Sequence, residues 1–390
     1  MRRGRIAATS AADTIGLPST VRSSFATRLA RLALAGLATA GLVLATTPVS
    51  ASATAPYGFI GVNAEDVYAG DDAYQERMLS LMRANGVTQV RQIWRWAYVE
   101  QVRGVLDWSM LDRFTVAAAR HDIRVLPLVG GETPWATSRP AGNDERCLFP
   151  PADNATFGNW MRLVVQRYGP GGALWQQYPE LAAYALKSWQ IWNEPNKSKF
   201  WACKTNPKAY VELARVAANA IHAVDPNATI ITAGAPREGK PGTYLRKMFK
   251  NGAKKVFDAF ALHAYKKDAD AVVSEVKKAR DILADLGAAN WKLHITEFGW
   301  ATGFPPGDHS VGNDEAKQAR LIKNTYTKLG AQRKKLKIAS VNYYAWRDLP
   351  PPTDFGGGPD YWGLHTGFLR LDGTPKPALS ATAQASRTID

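Results

Sequence analysis

Eight short apolar or β-branched runs recur along this chain from Tyr57 onward, separated by longer stretches with a helical period. The runs are Tyr57–Asn63, Gln89–Trp94, Arg124–Gly130, Ser188–Asn193, Thr229–Gly234, Ala259–His263, Leu293–Glu297 and Ser340–Trp346. The helical stretches include Ala73–Ala84, Leu111–His121, Asn159–Tyr168, Ala209–Val224, Ala271–Leu286 and Ala316–Leu329. Short runs of this kind bounded by turn residues read as strands, whereas apolar residues spaced three and four apart read as amphipathic helices. Strict alternation joins parallel strands through crossovers, and eight such units can close into a (β/α)8 TIM barrel. The competing doubly wound sheet, in its nucleotide-binding form, needs a Gly-rich turn after the first strand. Gly61-Val62-Asn63-Ala64-Glu65 is not such a turn. With no internal repeat or low-complexity linker, residues 54–390 are expected to form a single barrel domain.

Residues 1–53 stand apart. Arg2, Arg3, Arg5, Arg22, Arg28 and Arg31 precede an apolar run from Leu32 to Ala45, and Ala51-Ser52-Ala53 follows. A basic start, a short apolar run and an Ala-x-Ala ending are the marks of an export signal, and the run is too short for a membrane span. The chain is therefore expected to be secreted after removal of the signal near Ala53, with no stable membrane anchor. In an exported chain the only two cysteines, Cys147 and Cys203, can form a disulfide.

Of the 390 residues 46% are hydrophobic and 21% charged, which excludes a disordered chain. The net charge of +15 stays positive without the signal, and Lys254-Lys255, Lys266-Lys267, Lys277-Lys278 and Lys334-Lys335 spread it through the second half. A basic field concentrates anionic partners such as acidic cell-wall polysaccharides. No motif supports nucleic-acid binding. The six histidines show no metal-ligand spacing, and neither a nucleophile elbow nor a phosphate loop occurs, so no metal and no cofactor is expected.

Strand-to-helix connections are long at Gly131–Asp153, Pro195–Asn206, Gly299–Gly312 and Asp348–Pro375, while helix-to-strand connections such as His121-Asp122-Ile123 are short. Long loops after strands build the face of a barrel that carries active sites. On that face Glu194 ends the fourth run and Glu297 the seventh, positions that face each other across the mouth. A carboxylate pair of this kind can cleave a glycosidic bond, one member protonating the leaving oxygen and the other attacking the anomeric carbon. A separation of roughly 5–5.5 Å gives retention of configuration and a wider one inversion. Asn193 can hydrogen-bond a sugar 2-hydroxyl, which suits Glu194 to the acid/base role. Arg91 and Tyr265 can keep Glu297 ionised as the nucleophile. Thirteen tryptophans add aromatic surface on which sugar faces pack, and Trp94, Trp96, Trp135, Trp201, Trp300, Trp346 and Trp362 fall at strand ends or in the loops that follow.

Trp-Asn-Glu-Pro at the fourth run, Ile-Thr-Glu-Phe-Gly-Trp at the seventh, His263-Ala264-Tyr265 after the sixth and Trp346 after the eighth resemble clan A glycoside hydrolases, families 39 and 5 above all. The resemblance spans the chain beyond the signal, including Tyr361-Trp362-Gly363-Leu364 and Asp372-Gly373-Thr374-Pro375-Lys376-Pro377-Ala378. It implies a retaining enzyme with Glu194 as acid/base and Glu297 as nucleophile. It also implies a sugar subsite drawn from Asn193, Arg91, His263, Tyr265 and Trp346, with Trp135 and Trp300 as further aromatic candidates. The expected partner is a β-linked oligo- or polysaccharide, bound by a monomer. A catalytically silent glycan-binding barrel and a transglycosylase are the competing readings.

Overall fold

The computed structural model describes residues 55–143, 147–234, 242–302, 313–350 and 363–389. The expected export signal and Trp362 lie outside these residues. Eight parallel strands close a barrel in chain order: β1 (Ile60–Asn63), β2 (Gln89–Arg95), β3 (Arg124–Gly130), β4 (Ser188–Ile191), β5 (Thr229–Ile231), β6 (Ala259–His263), β7 (Lys292–Phe298) and β8 (Ile338–Tyr344). Closure is made by β1 against β8, with Ile60 opposite Val341 and Asn63 opposite Tyr344. All described residues belong to one compact unit, Ser50–Asp390. Among them no helix is long and apolar enough to cross a membrane.

The helices sit where period and capping agree. Asn154–Tyr168 starts five residues earlier than its apolar period suggests, because the Asp153 side chain accepts from the amide of Ala155 and stabilises the first turn. Its buried Phe157, Trp160, Met161, Val164, Val165 and Tyr168 form the stripe that faces the barrel. Asp71, Asn206, Asp268 and Asp314 cap other helices in the same way.

Apolar packing lies mainly between the helices and the outer face of the barrel. Inside, Leu126, Ile231, Ala259 and Ala261 form a small separate cluster. The rest of the lumen is polar and hydrogen-bonded: Gln89 donates to Asn342, and Asn63 donates to the carbonyls of Thr296 and Tyr343. Gly61 is required here, since a Cβ at that position would lie 2.0 Å from Asn342 Oδ1.

The ladders of β4 and β5 end earlier than the apolar runs do. Trp192 and Glu194 take left-handed φ values of 68° and 42°, which turns the chain out of the ladder just before the loop. A single bridge between Asn193 and Gly234 continues the pairing above. Between β6 and β7 the register shifts at His263, which lies opposite Glu297. Irregularities of this type re-aim a side chain at the rim of a sheet.

Cys147 and Cys203 form a disulfide across 56 residues of sequence and join the loop after β3 to the loop after β4. Closing a loop of that length in the unfolded chain is worth up to about 4 kcal/mol. The paired Cys147→Ser, Cys203→Ser variant is therefore expected to lose stability under oxidising conditions, and reductant should move the wild type toward it, as read by urea unfolding.

At the opposite end of the barrel, His294 is pulled from 6.5 down to about 4 by burial and by the charges of Arg124 and Lys292. It is neutral in the fold and gains a proton on unfolding below its ordinary value, so the fold loses stability as pH drops from about 6.5 toward 4. Unfolding midpoints at pH 7 and pH 4.5 should fall less for His294→Gln than for the wild type.

Candidate active site

The ends of β1, β2, β4, β6, β7 and β8 converge on one cleft of about 350 Å³, lined by Glu65, Arg95, Glu194, Lys197, Tyr265, Glu297 and Tyr344 among others. Both glutamates are buried, with 4% and 9% exposure for Glu194 and Glu297. A carboxylate oxygen of each and a ring nitrogen of His263 lie within 4.8 Å of one another. Such a trio could bracket a cation. Arg91 and Lys197 already bring positive charge to the same carboxylates, which opposes a dication at that point.

Glu297 is held by donors on both oxygens. Arg91 Nη1 lies 2.8 Å from its Oε1 and the Tyr265 hydroxyl 2.7 Å from its Oε2. The same guanidinium donates through Nε to Gln190 Oε1 at 2.7 Å, through Nη1 to Asn63 Oδ1 at 2.7 Å and through Nη2 to Asn193 Oδ1 at 3.0 Å. Tyr265 is pushed well above its ordinary value by burial and by the charge of Glu297, so it stays a neutral donor.

Glu194 has different company. His263 Nδ1 lies 2.6 Å from its Oε1, and Lys197 Nζ, on a side chain 46% exposed, lies 2.9 Å from its Oε2. Burial by itself raises the Glu194 carboxyl, but hydrogen bonds and charge from His263 and Lys197 outweigh it and pull the group down to about 2. The ionised carboxylate makes His263 the donor at Nδ1. His263 also approaches Glu297 Oε2 at 3.2 Å, so one imidazole spans the two carboxylates.

Backbone details fix this arrangement. Glu194 donates its amide to the Gly234 carbonyl at 3.1 Å, and its left-handed φ of 42° holds a conformation that costs a non-glycine residue on the order of 1–3 kcal/mol. A Cβ on Gly234 would lie 1.8 Å from His263 Nε2. Only glycine leaves room for the ring.

Asn193, Arg91, His263, Tyr265 and both glutamates thus come together as the sequence suggests. The tryptophans do not. Trp346 is fully buried and packs edge-on against Phe368 of the C-terminal segment. Trp300 is 2% exposed and donates to the Lys266 carbonyl, and Trp135 packs edge-on against Trp96 while donating to the Glu100 carbonyl. None of the three lines the cleft, and the strand-eight aromatic that does is Tyr344. Glu65, Arg95 and Lys197 were also missed. Glu65 follows β1 by two residues and lines the same cleft as Arg95. Lys197 sits three residues past Glu194, in a tight turn closed by its amide on the Glu194 carbonyl.

A family model described as the glycosyl hydrolase catalytic core matches residues 175–349. Among solved structures, a family 39 glycoside hydrolase from Bacteroides cellulosilyticus WH2 is similar at 20% identity over 85% of this chain and 64% of that one, with a TM-score of 0.62. A monomeric beta-xylosidase from Caulobacter crescentus CB15 matches at 19% identity over 84% of this chain and 67% of its own, TM-score 0.62. An exo-beta-1,4-mannosidase from Opitutaceae bacterium strain TAV5 matches at 17% identity over 86% and 60%, TM-score 0.56. The chain thus spans less than two thirds of the first and third of these proteins, and the likeness is one of fold.

Gly234→Ala is expected to drive His263 off Glu194 and to cost about 1–3 kcal/mol through overpacking. Nitrogen-15 NMR of the His263 ring should show loss of the carboxylate-bonded Nδ1–H signal, and an unchanged ring would contradict the role given to Gly234.

Proposed function

From a barrel whose residues 175–349 match a glycosyl hydrolase catalytic core, we propose that the chain is a retaining glycoside hydrolase acting on β-linked oligo- or polysaccharides. The observation that carries this reading is the buried Glu194–His263–Glu297 trio, whose functional atoms lie within 4.8 Å of one another. That proximity suits a carboxylate pair working by double displacement, for which the separation is roughly 5–5.5 Å.

Glu297 is the nucleophile. Arg91 and Tyr265 keep it anionic and hold its oxygens in place, so that one of them can attack the anomeric carbon as the bond to the leaving oxygen breaks. Glu194 gives its proton to that oxygen. In the second step it takes a proton from water, which attacks the anomeric carbon and releases Glu297 from the ester. Asn193, oriented by Arg91, is placed to hold the sugar 2-hydroxyl. The free site keeps Glu194 ionised, so it must gain its proton as substrate enters and disturbs the contacts with Lys197 and His263.

We further infer that the chain is exported and acts as a monomer. The Cys147–Cys203 disulfide supports an oxidising destination, and basic charge suits a role near acidic polymers.

A screen of β-xylosides, β-glucosides, β-mannosides and their polymers should find turnover in the wild type. Glu297→Gln should lose at least about 10⁴-fold in kcat while still binding the substrate found. Binding without turnover by the wild type would identify a silent glycan-binding barrel, and glycosyl transfer in place of reducing sugar at high acceptor concentration would identify a transglycosylase.

A further inference from the structure

Lys197 is a difficulty for a general acid as the site stands. Its ammonium lies 2.9 Å from Glu194 Oε2 and stabilises the ionised form of the group that must donate a proton. A hydroxyl on the leaving sugar would not draw it away, because an ammonium–carboxylate contact is roughly twice as strong as a neutral hydrogen bond. A carboxylate on the leaving side would. Lys197 is 46% exposed on its side chain and free to swing, whereas Glu194 is fixed by its backbone bond to Gly234.

The wall around Lys197 suits such a group. The leaving sugar passes on the Glu194 side of the cleft, where Lys197, Lys199 and Phe200 line the surface. Lys199 Nζ stands 4.9 Å from the centre of the Phe200 ring. The Ser198–Phe200 turn is pinned from two directions, since Trp192 Nε1 donates to the Phe200 carbonyl at 2.7 Å and Leu148 donates its amide to the Lys199 carbonyl at 2.8 Å. The Cys147–Cys203 bridge closes beside it. A rigid turn that sets the Lys197 ammonium near an aromatic ring is a surface for an acidic saccharide, the ring receiving the apolar sugar face and Lys197 the carboxylate.

We propose that the leaving-group subsite takes a carboxylate-bearing sugar of the uronic acid class, and that Lys197 moves from Glu194 to that carboxylate when substrate binds. The inference rests on the hydrolase reading above, and it couples recognition to catalysis: the substrate that removes the ammonium from Glu194 also allows it to become protonated.

The test uses matched aryl glycosides with 4-carboxyphenyl and 4-carbamoylphenyl leaving groups on xylose, glucose and mannose, which differ chiefly in one charge. The wild type is expected to favour the carboxylate member by at least about tenfold in kcat/KM, and the preference should shrink with added salt. Lys197→Met should lose on the carboxylate member and gain on the neutral one, because its Glu194 holds a proton more readily, and Lys197→Arg should keep part of the preference. A wild type that turns over both members equally, or a Lys197→Met variant that loses equally on both, overturns the proposal and leaves the hydrolase reading standing. Turnover of neither member on any sugar overturns both.

Discussion

Everything at the mouth of the barrel depends on one buried guanidinium. Arg91 has 4% of its surface exposed and reaches four side chains from three other strands or their ends: Asn63, Gln190, Asn193 and Glu297. A buried charge is tolerated only when paired and hydrogen-bonded, and each of these acceptors is held in turn by the geometry that the cation imposes. The planar fork of arginine is needed because the acceptors lie on different sides of it, and a lysine ammonium could not span them. The Glu297 carboxylate is therefore part of the same network that closes the polar lumen.

The two glutamates differ because of what surrounds them. Glu297 is held by Arg91 on β2 and by Tyr265 just past β6. Glu194 has one fixed neighbour, His263, and one exposed neighbour, Lys197, that can leave. A nucleophile needs permanent stabilisation of its charge, whereas an acid/base must change its protonation twice in each cycle. The division of labour proposed for the pair rests on that difference, and Gly234 supports it by giving His263 the room to reach Glu194.

The barrel and its polar centre were largely legible in the sequence. β3 and β6 have the bounds that their apolar runs give, since β3 runs into Gly131 and β6 is preceded by Asp258, residues that disfavour strands. β4 is shorter than its apolar run because the left-handed turns at Trp192 and Glu194 are tertiary in origin and have no glycine to announce them. Trp346 was misplaced for a related reason. It has the same parity along β8 as Ser340, Asn342 and Tyr344, yet the chain has left the ladder by then and Phe368, 22 residues later, covers it. Lys197 escaped notice because a surface lysine in a turn looks ordinary until its distance to Glu194 is known.

The claim that Glu194 and Glu297 work by double displacement is tested most directly by the configuration of the sugar at the instant of release. Proton NMR of the anomeric signal, followed from the first turnovers before mutarotation sets in, should show a β-configured product from a β-linked substrate. An α-configured first product would mean single displacement by water and would contradict the roles given to the pair.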